Sequence, residues 1–191
     1  MKILFVTPNN IDLTYGGSIR SSCIRAALQQ LGEVHTVLVQ REASERRDTE
    51  WQPGLIRRAH YTHAPGKSRE GIAQRSRLKE WLARLIDEER YDLYFVCFAS
   101  TAWLLPKHTW RRLVVDLDDA FRDPPADSPE YSPSHLMRRL RTLATQYVAR
   151  ASAHVTYVHP ADGSRLWTPH RTLLRNVVPL PDPARPRPAP V

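Results

Sequence analysis

The segment that decides the fold is KILFVTPNNIDLTYGGS, residues 2–18. Residues 2–7 form an apolar run of strand length, which is typical of a strand buried on both faces of a parallel sheet. Residues 8–17 are rich in Pro, Asn, Asp and Gly and predict a loop. Ser18 then stands at a helix N-cap position. The apolar residues of the helix that follows are Ile19, Cys23, Ala26 and Ala27.

The same alternation continues outward from this segment. Gly32 ends the first helix and residues 34–39 supply a second strand, so a βαβ unit is complete within forty residues. Further strands are predicted at residues 55–62, 92–98, 112–117, 154–158 and 172–178. Further helices are predicted at residues 68–90, 101–105, 134–149 and 160–167. This order predicts an α/β fold, a Rossmann-like open parallel sheet with helices on both faces.

The length of 191 residues suits one domain and is too short for two full Rossmann domains. We assign residues 1–178 to that domain. Residues 179–191 contain six prolines in thirteen residues and predict an interdomain linker or tail. No apolar run reaches the roughly 18 residues of a membrane span, and no signal peptide precedes the first strand, so a cytoplasmic location is expected.

The formal charge of +8 and the pI of about 9.9 indicate an anionic partner. Nucleic acid, an acidic membrane surface and a phosphorylated substrate all satisfy that charge. Nucleic acid is not favoured, because no recognised reading motif or exposed aromatic platform accompanies the basic residues.

The helix at residues 134–149 has two interpretations. Its apolar side chains share one face and predict packing on the core, with the arginines in solvent. Those apolar residues are Leu136, Leu140, Leu143, Ala144 and Tyr147, and the arginines are Arg138, Arg139 and Arg141. The alternative is a basic amphipathic surface that contacts anionic lipid headgroups at the inner face of the cell membrane.

The tetrapeptide YGGS, residues 15–18, lies between the first strand and the first helix. Its two glycines allow a ligand to approach the backbone closely, and the helix N-terminus favours an anion such as phosphate. The alternative is a flexible turn that only joins the two elements.

Three carboxylates, Asp116, Asp118 and Asp119, follow a buried strand in VVDLDDAF. In open α/β sheets ligands bind at that edge. Asp116 and Asp118 lie on one side if the strand persists, and Asp119 lies on the other. Such carboxylates bind sugar hydroxyls, act as a base or hold a divalent ion; the alternative is a helix cap with solvated neighbours. No His or Cys spacing predicts a metal site, and Cys23 and Cys97 are expected to be buried thiols.

The order of these pieces resembles the N-terminal domain of family 4 glycosyltransferases with the GT-B fold, from Met1 to about Pro181. Residues 2–17 resemble the family's opening strand and glycine loop, and residues 91–98 (YDLYFVCF) its second sheet motif. Residues 147–166 (YVARASAHVTYVHPADGSRL) are similar to the family's segment with the pattern (A/C)D-hhhsvS-xxd-xxxL, and residues 174–178 resemble the strand that leads into the interdomain linker.

The resemblance implies that this domain binds the acceptor, while a C-terminal domain, in the same or a separate chain, binds a nucleotide sugar. Sugar transfer then retains the anomeric configuration and needs no cofactor or metal. Gly16, Gly17 and Ser18 correspond to the loop near the donor phosphate. The implied catalytic residue is Asp116, where the family commonly has histidine, and the implied acceptor-binding residues are Tyr15, Asp118 and Asp119.

Two departures qualify the resemblance. The family's PNG signature is replaced by Arg175-Asn176-Val177, and no second Rossmann domain follows the linker. The function expected is therefore the acceptor half of a bacterial glycosyltransferase for polysaccharide or glycolipid synthesis, inactive without its donor half. The alternatives are a noncatalytic Rossmann-like module that binds a nucleotide or phosphate, and a basic nucleic-acid binder.

Overall fold

The computed structural model of the chain describes residues 1–9, 11, 16–41, 56–61, 69–118 and 133–175. The strands are β1 (Lys2–Thr7), β2 (Glu33–Arg41), β3 (Ile56–Tyr61), β4 (Leu93–Cys97), β5 (Leu113–Leu117), β6 (His154–Tyr157) and β7 (Arg171–Leu173). The helices are α1 (Gly16–Leu31), α2 (Arg69–Glu89), α3 (Ala99–Ala102), α4 (Pro133–Ala151) and α5 (Pro160–Arg165), with a 3₁₀ helix at Lys107–Arg112.

Within the described residues, the seven strands are all parallel and form one sheet in the order β3-β2-β1-β4-β5-β6-β7. The chain adds strands outward from β1 in one direction as far as β3, and then returns to place β4 on the other side of β1. The direction of winding therefore reverses between β1 and β4, the point at which open α/β sheets bind ligands. The predicted Rossmann-like parallel sheet is confirmed.

Helices cover both faces of this sheet, because successive side chains of each strand point to opposite sides. Ile3 and Phe5 pack with Ile24 of α1 on one face. Leu4 and Val6 belong to the larger cluster on the other face, to which α2, α3 and α4 contribute. The prediction of a sheet between two layers of helices is confirmed.

The turn after α1 requires glycine for lack of space. A Cβ atom built on Gly32 would lie 2.0 Å from the backbone oxygen of Met1. That oxygen accepts a hydrogen bond from the backbone N–H of Glu33 at 3.0 Å, which aligns the starts of β1 and β2. A side chain at Gly32 would separate these two strands at their first pair.

Helix α1 differs from its prediction. It begins at Gly16, so Ser18 lies in its first turn and is not the N-cap residue. The side chains turned toward the sheet are those of Arg20, Ile24 and Leu28, whereas Ala26 and Ala27 are exposed and Cys23 is only half-buried. The sequence pattern gave the wrong face because this helix buries a charged residue, which an apolar periodicity cannot indicate.

Helix α4 also differs from its prediction, in which the apolar face packs on the core. In the structure that apolar stripe faces away from the core. Five large apolar side chains of this helix are between 49% and 61% exposed. They are Leu136, Met137, Leu140, Leu143 and Tyr147. The helix packs on the core through Val148 and Ala149 of its C-terminal half, and its buried Gln146 hydrogen-bonds to the backbone of Arg165 and Trp167. The interpretation of this stripe as core-packing is therefore wrong.

Strand β7 ends at Leu173, so residues 174 and 175 of the predicted strand at 172–178 are not part of it, and residues 176–178 lie outside the described residues. The predicted linker, residues 179–191, lies outside the described residues. Among the described helices, none combines the length and the hydropathy that crossing a bilayer requires.

Candidate functional site

The N-terminus of α1 lies at the carboxyl end of β1, beside the point where the strand order reverses. Gly16 and Gly17 form its first turn, which contains no acidic residue. The first backbone N–H groups of a helix have no partner within the helix, and the helix dipole favours an anion there. The hydroxyl of Ser18 is buried and has no hydrogen-bond partner among the described residues. Tyr15 lies outside the described residues.

Asn9 fixes the position of this helix start relative to β1. Its side-chain amide donates hydrogen bonds to the backbone oxygen of Gly17 and to Ser21 Oγ, both at 3.0 Å. Its backbone N–H donates to Thr7 Oγ1 at 3.1 Å. A Cβ on Gly17 would lie 3.1 Å from the Asn9 amide nitrogen, so a larger residue would displace this brace.

Asp116, the implied catalytic residue, lies on β5 with only 1% of its surface exposed. Its Oδ2 accepts a hydrogen bond from Arg20 Nε at 2.8 Å. Its Oδ1 accepts from Arg20 Nη2 and from Thr156 Oγ1, both at 2.6 Å. Both carboxylate oxygens are therefore occupied, and this arrangement joins α1, β5 and β6 at the edge of the sheet. The catalytic role of Asp116 stays a prediction.

Arg20 is a residue of the candidate site that its sequence pattern did not predict. Burial lowers its pKa, but the hydrogen bond and the charge of Asp116, together with the charge of Asp118, raise the pKa above its ordinary value. Its Nη1 also donates to the backbone oxygen of Leu174 at 2.9 Å, after the last strand. No sequence motif marks this arginine, in a chain where Lys and Arg together number 28.

Asp118 lines an open pocket of about 290 Å³ at the carboxyl ends of β4 and β5, bounded by α2, α3 and α4. Its polar and aromatic lining includes Arg75, Phe98, Ser100, Trp103, Asp118 and Arg141. Asp116 points to the α1 side of the sheet, so the two carboxylates do not share this pocket. Strand β5 ends at Leu117, before the alternation could bring Asp118 to the same side. Asp119 lies outside the described residues.

An aromatic group forms one wall of the pocket. The Trp103 ring stacks on Tyr147, with centroids 5.6 Å apart and an interplanar angle of 15°. It also meets Trp110 edge-on at 5.3 Å. Contacts on two sides hold the indole in place, and such a ring offers a flat apolar surface to a ligand.

Phe98, between β4 and α3, also lines the pocket and has a strained backbone. Its φ of 69° and ψ of 139° are rare for a residue with a side chain. Its backbone N–H donates to the oxygen of Asp116 at 2.8 Å, which holds this conformation against β5. Strain of this kind concentrates at ligand sites, where the surrounding structure maintains it.

Cys97 is buried beneath the site, and burial together with the charge of Asp116 raises the pKa of its thiol to about 12. Only the thiolate form of a cysteine reacts rapidly with a thiol reagent. We therefore expect the reagent to modify Cys23 first in the native protein at pH 8, and Cys97 only when the protein unfolds. A disulfide exchange reagent with mass-spectrometric detection measures both rates. The Cys97 contribution to stability is present below its ordinary pKa near 9 and is lost as the pH rises toward 12. Equal native-state rates at the two cysteines would contradict this assignment.

Metal ligands and relatives give no further information about the site. Within the part of the chain that the structure describes, no three His, Cys, Asp or Glu side chains lie close enough together to hold a metal ion. No protein-family model matches the chain, and no curated protein is found to be similar to it. The geometry of the sheet edge is therefore the basis for assigning a function.

Proposed function

We propose that this chain is the acceptor-binding half of a retaining glycosyltransferase, which transfers a sugar from a nucleotide sugar to a glycan or glycolipid. The observation that carries the proposal is the position of two features at one sheet edge. A glycine-started helix N-terminus follows β1, and a pocket with polar and aromatic walls lies at the ends of β4 and β5. The first suits a donor phosphate and the second suits an acceptor sugar.

In this proposal each part of the edge has a separate task. The Asp118 carboxylate accepts hydrogen bonds from acceptor hydroxyls, and the Trp103 ring supports the apolar face of the sugar. Gly16, Gly17 and Ser18 form one wall of the donor phosphate site. The other wall belongs to a partner domain that binds the nucleotide sugar, and transfer requires both.

Asp116 acts as a positioning residue here, because its carboxylate is committed to Arg20. The ion pair holds the start of α1 at a fixed distance from the end of β5. It thereby sets the separation between the donor phosphate wall and the acceptor pocket. Such positioning affects the rate of transfer even though the residue does not touch the reacting atoms.

A titration of the chain with methyl hexosides, followed by NMR, tests the acceptor site. We expect chemical-shift changes that include the Trp103 indole N–H, and about tenfold weaker binding in Asp118→Asn, because that change removes a charged hydrogen-bond acceptor. Asp87→Asn, on the exposed face of α2, is the matched control. Binding of none of the saccharides, or equal losses in the two variants, would contradict the proposal.

The rival function is a noncatalytic module that binds a nucleotide or phosphate at the α1 N-terminus. Calorimetry with UDP-glucose, GDP-mannose, ATP and NAD distinguishes the two. If this chain supplies only one wall of the donor site, it should bind these compounds weakly or not at all, since the remaining contacts belong to the partner domain. Micromolar binding of any of them by this chain alone would favour the module and overturn the acceptor-half proposal.

The proposed location is the cytoplasmic face of the cell membrane, through a peripheral contact of α4 with anionic lipid. Helix α4 contains four arginines and no carboxylate residue. Its exposed apolar stripe therefore has cationic flanks, the composition of helices that lie in the headgroup region of a bilayer. A domain held there meets lipid-linked acceptors directly.

A further inference from the structure

The pocket beside Asp118 contains two arginines from different helices. Arg75 belongs to α2 and Arg141 to α4, and both line the same cavity of about 290 Å³. Among the residues that the structure describes, neither guanidinium has an ion-pair or hydrogen-bond partner. Two cations that line one pocket repel each other, and an anion bound between them would relieve that repulsion.

The charges around the pocket favour an anion. The two arginines contribute +2 and Asp118 contributes −1, so the charged lining sums to +1. The charge of Asp118 also acts on Arg20 on the other side of the sheet. Asp118 therefore offsets only part of the positive charge of the pocket.

The shape of the pocket limits the ligand to a small one. Its volume is at the low end of the range for small-molecule sites, which suits one sugar residue with one substituent. The Trp103 ring supplies an apolar wall for the sugar, and Ser100 supplies a hydroxyl. Guanidinium groups match the oxygens of a phosphate in geometry as well as charge.

From these features we infer that the acceptor taken by this pocket is a phosphorylated saccharide, with its phosphate between Arg75 and Arg141 and its sugar ring against Trp103. This inference rests on the proposed function and deepens it by naming the acceptor class. The phosphate is a recognition group and takes no part in bond formation.

The experiment compares glucose 1-phosphate, glucuronate and methyl glucoside as probes of the chain by NMR titration. We expect glucose 1-phosphate to bind about tenfold more tightly than methyl glucoside at low salt, and the difference to shrink as ionic strength rises. The same comparison with the mannose and galactose analogues shows whether the preference follows the phosphate or one particular sugar.

Arg75→Ala and Arg141→Ala should each remove most of that preference, because they weaken the binding of glucose 1-phosphate far more than that of methyl glucoside. Arg77→Ala and Arg139→Ala are the matched controls, because they lie on the same two helices and outside the pocket lining. All four arginines are partly or fully exposed at the surface, so the variants should unfold at nearly the same urea concentration.

The outcomes separate this inference from the proposed function. Equal binding of the phosphorylated and neutral sugars would overturn the inference and leave the acceptor site intact. Tighter binding of glucuronate than of glucose 1-phosphate would also overturn it, in favour of a carboxylate-bearing acceptor. Binding of no saccharide at all would overturn both. Equal losses in the pocket variants and their controls would assign the effect to general surface charge and overturn the inference.

Discussion

Replacing Arg20 by alanine should lower the free energy of unfolding by about 3–5 kcal/mol, because it leaves the buried carboxylate of Asp116 without its counter-ion. Asp116 is 1% exposed, and two of its three side-chain hydrogen bonds come from Arg20. Water cannot replace these bonds without opening the interface between α1 and β5. Urea unfolding followed by circular dichroism measures the change.

Two further variants make this result specific. Arg25→Ala, on the same helix but only half-buried, removes a single hydrogen bond to Thr36 and should cost about 1 kcal/mol or less. The double variant Arg20→Met with Asp116→Leu removes both charges and should recover much of the stability lost in Arg20→Ala. If Arg20→Ala lowered the free energy of unfolding by less than about 1 kcal/mol, the ion pair of Arg20 and Asp116 would not be what holds α1 against β5.

Exchanging both Leu140 and Leu143 for glutamate should weaken binding to anionic vesicles by about 100-fold, through lost apolar burial and added negative charge. The two side chains are 50% and 52% exposed on the stripe of α4. Since neither is part of the core, the free energy of unfolding should change by less than about 1 kcal/mol. Co-sedimentation with vesicles of phosphatidylglycerol and phosphatidylcholine measures the binding.

The matched control for this experiment is Ile72→Glu combined with Leu31→Glu. These two apolar residues are 58% and 61% exposed on α2 and α1, so the change in charge and apolar surface is the same. The control should bind vesicles nearly as the parent protein does. If parent, α4 variant and control bind equally, or if the parent prefers vesicles of phosphatidylcholine alone, α4 is not a lipid-binding surface.

The strands and helices of this fold were predictable from sequence, because strands buried in a parallel sheet appear as short apolar runs. Short apolar runs mark three of the strands, at residues 2–7, 93–97 and 113–117. Burial on both faces of a sheet requires such runs. The parallel direction of the strands followed from the alternation of strands with helices, whereas the order of the strands in the sheet was not predicted. The ends were less predictable: β7 stops at Leu173 although the apolar run continues beyond it.

Side-chain environments were harder to predict, for two physical reasons. An arginine in the first turns of a helix has the same sequence appearance whether it is solvated or paired with a carboxylate 96 residues away, as Arg20 is with Asp116. An apolar stripe on α4 has the same periodicity whether it faces the sheet or solvent. Both outcomes depend on contacts that form only in the folded chain.

The candidate site shows the same division. The glycines before α1 and the carboxylates after β5 were predicted to lie at one sheet edge, and Gly16, Gly17, Asp116 and Asp118 do so. The pocket itself was not predicted, because Arg75 and Arg141 come from separate helices that the sequence does not connect. Its aromatic wall was missed for the same reason.

The position of β1 in the middle of the sheet has a consequence for biosynthesis. Ile3 pairs with Leu93, so β1 leaves the ribosome before a neighbouring strand that is made ninety residues later. At ordinary translation rates this delay is about 5–20 s. During that time β1 can pair with β2 on one side, but its other edge, where β4 will pair, stays unpaired. The nascent chain therefore passes through an aggregation-prone stage, in which early docking of α1 over Phe5 protects it.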